Sequence, residues 1–303
     1  MAGSQDYAAD PRNETVKVWL NGELVARQDA KVSIFDAGFS MGDGVWEGLR
    51  LHKGRLLFLE AHLDRLFAGA RAIGLDIGLT RVEIADALRR TLEANAMTDR
   101  VHVRLMVTRG LKSTVSQDPR NALDRPTVAI VAEHKVPVAG AGLRLATVSV
   151  RCTPVAMFDM RLNSHSRLNL ITALLEAIDK GADEALMLDP RGFVSSCNAT
   201  NFFFVRGGAV FTSAGEYCFN GVTRGHVIEL CRHNDVPIQL GDFSPDEARG
   251  ADEAFVTGTM AGITPVREID GRAAPLARGP VTRRLQDLYA ALKDADAQGG
   301  PRW

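Results

Sequence analysis

Residues 167–189 read RLNLITALLEAIDKGADEALMLD. The first part has apolar residues at helical spacing, which predicts a helix over roughly residues 167–180. A strand, EALMLD (184–189), follows. Upstream, LRLATVSV (143–150) is a further strand, and an irregular segment runs from it to residue 166. Downstream, NFFFVRGGAVFT (201–212) is a hairpin turning at Gly207-Gly208. A helix in FNGVTRGHVIELCRHNDV, its start marked by Gly221 and Thr223, comes next. Strands near AFVTG and PVREID then precede a last amphipathic helix in PVTRRLQDLYAALKD.

The other half of the chain is patterned in the same way. VKVWLNGELV is a hairpin around Asn21-Gly22, and VWEGLRLHKGRLLFL is a strand pair turning at Lys53-Gly54. EAHLDRLFAGARAIGL and RVEIADALRRTLEAN have helical periodicity. RVHVRLMVTRG alternates, with Val101, Val103, Leu105 and Val107 on one face and His102, Arg104, Met106 and Thr108 on the other. RPTVAIVAEH is a more buried strand. KVPVAGAG then breaks the pattern, which predicts a linker at 135–142 between domains at 16–134 and 143–295. Strands arranged mostly in hairpins predict two α+β domains.

With 303 residues, two domains with sizeable cores are expected, and 46% hydrophobic with 24% charged residues is a soluble composition. A net charge of -1 gives no reason to expect nucleic acid or an anionic membrane as partner. Cys152, Cys197, Cys218 and Cys231 show neither zinc-site spacing nor a disulfide framework. No apolar run is long enough to span a bilayer, and MAGSQDYAADPRNET lacks a signal-peptide pattern, so a cytoplasmic location is expected. Residues 1 to about 15 and the end DADAQGGPRW are expected to be mobile.

Three segments could meet an anion. In NGVTRGHVIEL a glycine followed by Val222 and Thr223 opens a helix, whose free N–H groups and positive end converge on one spot; a plain N-cap is the alternative. In VTGTMAGITPV small residues after a strand could form an anion-binding nest centred on Thr259 and Met260, or an ordinary turn. Arg65, three residues after His62 on a helix, is either a ligand or a solvated surface arginine. None of the three is specific alone.

Taken in order, these segments resemble the class IV aminotransferases, a pyridoxal 5'-phosphate (PLP) family that includes branched-chain aminotransferases, D-amino acid aminotransferases and aminodeoxychorismate lyases. FDAGFSMGDGVWEGLR, EAHLDRLFAGARAIGL, DEALMLDPRGFVSSCNATNFFFV, NGVTRG and TGTMAGITPV carry the resemblance, which spans roughly residues 16–290. It implies the two-domain fold type IV architecture, a homodimer, and an active site between two domains near the subunit interface. It also implies PLP or pyridoxamine 5'-phosphate (PMP) as cofactor, and an amine or amino acid with a keto acid as substrates. Arg65, Val222, Thr223, Thr259 and Met260 would hold the cofactor phosphate. Arg167 would lie near the ring hydroxyl, and Trp46 would line the pocket, with an ordinary core aromatic the alternative.

Two positions depart from the family pattern. The lysine that binds the cofactor covalently falls on Asn163, with Leu162 the alternative if one gap is allowed. The chain has seven lysines, Lys17, Lys31, Lys53, Lys112, Lys135, Lys180 and Lys293. Lys180 is nearest in sequence, but it lies at the far end of the following helix, about 20 Å from the helix start at roughly 1.5 Å per residue. The glutamate that pairs with the pyridine nitrogen falls on Ser196, which offers only a neutral hydrogen bond and weakens the electron sink.

Three readings follow. The first is an aminotransferase-like enzyme with noncovalent PLP or PMP, in which His165, two residues from Asn163, moves the proton; a structural loop histidine is the alternative for that residue. The second is a noncatalytic PLP-binding protein, with chemistry of the aminodeoxychorismate lyase type a further alternative. The third lets a distant lysine, Lys31 or Lys112, enter the pocket. Arg104, which sits where branched-chain enzymes have an arginine, could take a substrate carboxylate bidentately or be a surface arginine. The Arg-x-His carboxylate trap of the D-amino acid enzymes has no clear match in TRGLKSTVSQDPRNALD, and Arg109 is a candidate substrate contact there.

Overall fold

A computed structural model of the protein describes residues 3–123, 125–138 and 140–299. They divide into two compact units. The N-terminal unit comprises Ala8–Val136 together with Leu162–Arg167. The C-terminal unit comprises the described parts of Met1–Tyr7, Pro137–Arg161 and Leu168–Trp303. The short run Leu162–Arg167 thus belongs with residues far from it in sequence.

In the N-terminal unit, β1 (Lys17–Leu20) and β2 (Glu23–Ala26) form a hairpin. Its turn needs positive φ at both central residues, and Asn21 (φ 50) and Gly22 (φ 103) supply it. The short helix α1 (Ala37–Met41), β3 (Gly44–His52) and β4 (Arg55–Leu56) follow. After them come α2 (Leu59–Ala72), α3 (Arg81–Ala94), β5 (Val101–Thr108) and β6 (Thr127–His134). The six strands make one sheet in the order β2-β1-β6-β5-β3-β4. Leu49, Leu51, Val103, Leu105 and Ile130 on one face pack in one core with Leu63 and Leu66 of α2 and Ile84 and Leu88 of α3. Thr80 and Glu83 cap α3 reciprocally. The opposite face carries Trp46, Gly48 and Arg50 beside His102, Arg104 and Met106, which the β3–β5 register aligns.

The C-terminal unit begins with β7 (Leu143–Arg151), α4 (Leu168–Asp179) and β8 (Glu184–Leu188). Strand β9 (Val194–Cys197) precedes the hairpin β10 (Asn201–Arg206) and β11 (Ala209–Ser213). Then come α5 (Val222–His233), β12 (Ile238–Gly241), α6 (Pro245–Arg249), β13 (Glu253–Gly258), β14 (Gly262–Ile269), β15 (Arg272–Ala273) and α7 (Pro280–Gln298). The sheet runs β12-β11-β10-β13-β14-β7-β8-β9, with β15 paired to β14. Two crossovers join parallel neighbours, β7 to β8 around α4 and β11 to β12 around α5. Hairpins predominate, so the architecture is α+β. The sheet core includes Phe202, Phe204, Phe211 and Phe243 in mutual ring contact.

The expectation of mobile termini is corrected within the described residues. Ser4 is buried, and its hydroxyl and amide both meet the carboxylate of Glu184. Pro11–Thr15 form a 3-10 turn capped by Asp10, and α7 continues to Gln298. Residues 1, 2 and 300–303 lie outside the described residues. Strands β9 and β12 and helices α1 and α6 escaped the sequence reading because each is only four or five residues long. Among the described residues, no helix is long and apolar enough to cross a membrane.

Candidate active site

In the N-terminal unit the candidate residues gather around the start of β3. Val45, Glu47 and Leu49 point to the same side of this strand, so Glu47 enters the core beneath α2. It is fully buried. Its oxygens accept from Arg65 Nε at 2.7 Å and Arg65 Nη2 at 2.7 Å, and one of them lies 2.7 Å from His62 Nδ1. Burial alone would raise the Glu47 pKa, but the Arg65 charge and the bonds from Arg65 and His62 hold it below the usual carboxylate range. The i, i+3 spacing of His62 and Arg65 puts both on one stripe of α2.

Residues 163–165 add a short antiparallel pairing to β3, centred on a bridge between Val45 and Ser164. Trp46 N donates to Asn163 O at 2.9 Å, and His165 N donates to Gly44 O at 3.0 Å. The Asn163 amide is engaged on both sides: Nδ2 donates to Trp46 O at 2.6 Å, and Oδ1 accepts from Arg167. The Trp46 indole N–H donates to Ser164 O at 3.0 Å. Gly44 is required for this pairing, since a Cβ there would press on the Val107 carbonyl and stand 2.7 Å from His165 Cδ2.

The Trp46 ring carries two guanidiniums. Arg104 Cζ lies 3.6 Å and Arg167 Cζ 5.3 Å from its centroid. Arg167 is pushed down to about 10, first by burial and then by the charges of Arg104 and Arg65, so it remains cationic at neutral pH. Burial, with the Arg104 charge next, lowers His165 and keeps the ring neutral. The His165 Nε2 atom is buried and has no hydrogen-bond partner among the described residues.

Arg109 is otherwise engaged. Its Nε and Nη2 bind the Asp43 carboxylate at 2.6 and 3.0 Å, Nη1 donates to Gly74 O and Nη2 to Ile73 O, both at 2.8 Å. Two of its five donors hold Asp43 and two reach the chain after α2, so the side chain that the sequence offered as a substrate contact is committed within the protein. Lys112 is also committed, its buried ammonium donating to Ser116 O at 2.6 Å and Asp118 O at 3.4 Å within its own loop. Lys31 is exposed.

In the C-terminal unit, α5 begins at Val222 behind Gly221, which gives it no side-chain cap. Thr223 Oγ1 lies 3.4 Å from Tyr289 Oη, and a Cβ on Gly262 would stand 3.1 Å from the same ring. Tyr289 therefore joins the start of α5 to the Thr259–Met260 turn. Asn201 is a second link. Its Oδ1 accepts from Gly221 N at 3.2 Å, while its position pairs with Thr257 at the end of β13. Thr257 Oγ1 is buried there without a hydrogen-bond partner among the described residues. Uncapped helix N–H groups, a small-residue turn and an orphaned hydroxyl fit a phosphate.

Ser196 lies beside this arrangement. Its hydroxyl donates to Thr200 O at 2.7 Å and accepts from Asn201 Nδ2 at 3.2 Å. One lone pair remains for a ring N–H, but the proton is already used. Lys180, at the end of α4, donates to Thr147 O and Glu176, both at 2.8 Å.

Sequence reading missed Glu47, His62 and Asn201. Glu47 could have been found by phase, as a charged residue in register with apolar Val45 and Leu49. Asn201 gave no such signal, because its role depends on the pairing of β10 with β13.

The family model for amino-transferase class IV matches residues 44–269. The chain is 41% identical over 287 residues to the branched-chain-amino-acid aminotransferase-like protein 2 of Arabidopsis thaliana, covering 94% of this chain and 51% of that protein. It thus spans about half the length of that relative. It is 34% identical to the branched-chain-amino-acid aminotransferase of Pseudomonas aeruginosa, with 94% and 95% of the two chains covered. The solved structure of a T.th. branched-chain amino acid aminotransferase with pyridoxamine 5'-phosphate matches with a TM-score of 0.86 at 28% identity, over 95% and 96% of the chains. The chain belongs to the class IV aminotransferases.

Proposed function

We propose that the chain is a PLP- or PMP-dependent transaminase that moves an amino group between an amine or amino acid and a keto acid without a covalently bound cofactor. When bound, the cofactor supplies the electron-accepting ring on which this chemistry depends. The N–H groups at Val222 and Thr223 and the Thr259–Met260 turn would bind its phosphate, and Arg65 is the arginine the family assigns to that group. Ser196 would face the ring nitrogen as a neutral acceptor. Arg167 would meet the ring hydroxyl. Arg104 would take a substrate carboxylate in its fork, with Trp46 as the adjoining wall.

Asn163 occupies the lysine position and cannot act as a base. His165 would then accept and return the proton at Nε2. The observation that carries this reading is that nitrogen: neutral, buried and without a hydrogen-bond partner among the described residues. The commitments of Lys112 and Lys180 to backbone carbonyls support it. Protein loaded with PLP should slowly convert it to PMP when the right amine is supplied, followed by absorbance. His165→Ala should abolish the conversion, while Lys112→Ala and Lys180→Ala should leave it. Conversion unaffected by His165→Ala would refute the role of this histidine.

A noncatalytic cofactor-binding protein is the second reading. The engagement of the Asn163 amide and of the Ser196 proton by the protein itself favours it. Absence of conversion with every amine, alongside tight cofactor binding, would select it. In either case a homodimer is expected. Leu168, Ile171, Leu175 and Ile178 leave an apolar stripe exposed on α4, at helical spacing that suits self-pairing.

A further inference from the structure

Glu184 is a buried titratable group that the proposed reaction does not use. It lies on β8 and is 2% exposed. Its carboxylate accepts three hydrogen bonds, all from neutral groups: Ser4 N at 3.2 Å, the Ser4 hydroxyl, and Thr200 Oγ1 at 2.7 Å. No lysine, arginine or histidine pairs with it among the described residues. The titratable groups beside it are the buried Cys197 thiol and Asp183, whose own carboxylate is taken by Arg144 N at 2.8 Å and Arg144 Nη2 at 3.5 Å. Burial pushes the Glu184 carboxyl above the usual carboxylate range, against the hydrogen bonds from Ser4 and Thr200. A buried carboxylate without a counter-ion is costly, and a cation brought close favours its charged form.

The residue that holds Glu184 also sets Ser196. The Thr200 carbonyl accepts from Ser196 Oγ at 2.7 Å and from Cys197 N at 3.0 Å. Asn198 pins the same turn to β8: its Oδ1 accepts from Ala185 N at 2.8 Å, and its N donates to Ala185 O at 3.2 Å. The Ser196 proton is thereby committed, and Asn201 Nδ2 takes one lone pair at 3.2 Å. What remains on Ser196 is an acceptor. An acceptor binds a ring nitrogen only as N–H. For a pyridine ring that form is a cation, and Ser196 carries no charge to balance it. The carboxylate that Thr200 holds can.

We infer that Glu184 is a positioning residue for the cofactor ring: through Thr200 it fixes Ser196 as an acceptor, and it supplies the buried negative charge that keeps the ring nitrogen protonated. It does indirectly what a carboxylate at position 196 does in the family pattern. This rests on the reading that Ser196 faces the ring nitrogen of bound PLP or PMP.

The test is nitrogen NMR of PMP carrying an isotopic label at the ring nitrogen, bound to the full chain and titrated with pH. The ring should stay protonated through neutral pH. Glu184→Gln retains groups that can hydrogen-bond to Ser4 and Thr200 but removes the charge. It should weaken proton binding at the ring nitrogen by about 10-fold or more, the size expected of one charge acting through an effective dielectric of about 20. Thr200→Val, which removes the hydroxyl between the two, should move the ring in the same direction, and it decides if Glu184→Gln does not fold. An unprotonated ring in the unsubstituted protein, or ring protonation unchanged in Glu184→Gln, would overturn the inference. Weakened ring protonation in Glu184→Gln, with no amine converting bound PLP to PMP, would count against the transaminase reading and for the role of Glu184. Conversion by an amine with ring protonation unmoved in Glu184→Gln would sink the role of Glu184 alone.

Discussion

The two units present their candidate residues in different materials. In the C-terminal unit the features proposed to bind phosphate are largely backbone: a helix start behind Gly221 and the turn at Thr259–Met260, joined by Asn201 and Tyr289. In the N-terminal unit the candidate site is side chains: Asn163, His165, Arg167, Trp46 and Arg104, packed beside a buried Glu47. Backbone recognition tolerates substitution around it. Side-chain chemistry changes with each residue, and this is where the proposed reading puts Asn163 at the family's lysine position. On this contrast, single substitutions among the buried side chains of the N-terminal unit are expected to have the larger effects.

The largest expected effect is at Glu47. Glu47→Ala leaves Arg65 and His62 without their buried counter-charge and should destabilise the N-terminal unit by about 3–5 kcal/mol, read from denaturant midpoints. An effect below about 1 kcal/mol would mean that water reaches this pair. Next comes the pH response of the buried histidines. Burial and nearby cations push His102 from 6.5 down to about 3, and burial also lowers His165. Both bind protons more readily when unfolded, so stability should fall as pH drops from about 6.5 toward 3, by roughly a few kcal/mol. In His102→Phe the urea midpoint should change less over that window. A pH-independent midpoint in the unsubstituted protein would contradict the burial argument.

A smaller effect is expected at Gly44, where an added methyl presses on the Val107 carbonyl and His165. Gly44→Ala should cost about 1–3 kcal/mol and disturb His165, visible as a shifted ring resonance. The smallest is at Thr80, whose side chain is taken up by the capping box of α3. Thr80→Ala should cost about 1 kcal/mol and leave cofactor affinity unchanged.

Much of the fold was legible because it rests on periodicity. The β5 alternation, the helices at residues 59–72 and 222–233, and the Asn21-Gly22 and Gly207-Gly208 turns all have local causes. The position of Leu162–Arg167 was not legible. It depends on pairing with residues 42–46, more than a hundred positions away, and nothing in LNSHSR advertises a partner strand. The candidate site divided in the same way. Gly221-Val222-Thr223 has a local signal, whereas the engagement of Arg109 by Asp43 and two carbonyls can be seen only in three dimensions. Arg104 was identifiable from its strand face, but its stacking on Trp46 was not.

The central claim is that this class IV aminotransferase holds its cofactor without a covalent bond to lysine. The most direct measurement is borohydride reduction of the PLP-loaded protein, followed by peptide mass mapping. The account predicts that all seven lysines remain unmodified and that the cofactor is released intact on denaturation. A pyridoxyl group fixed stoichiometrically on one lysine would contradict it.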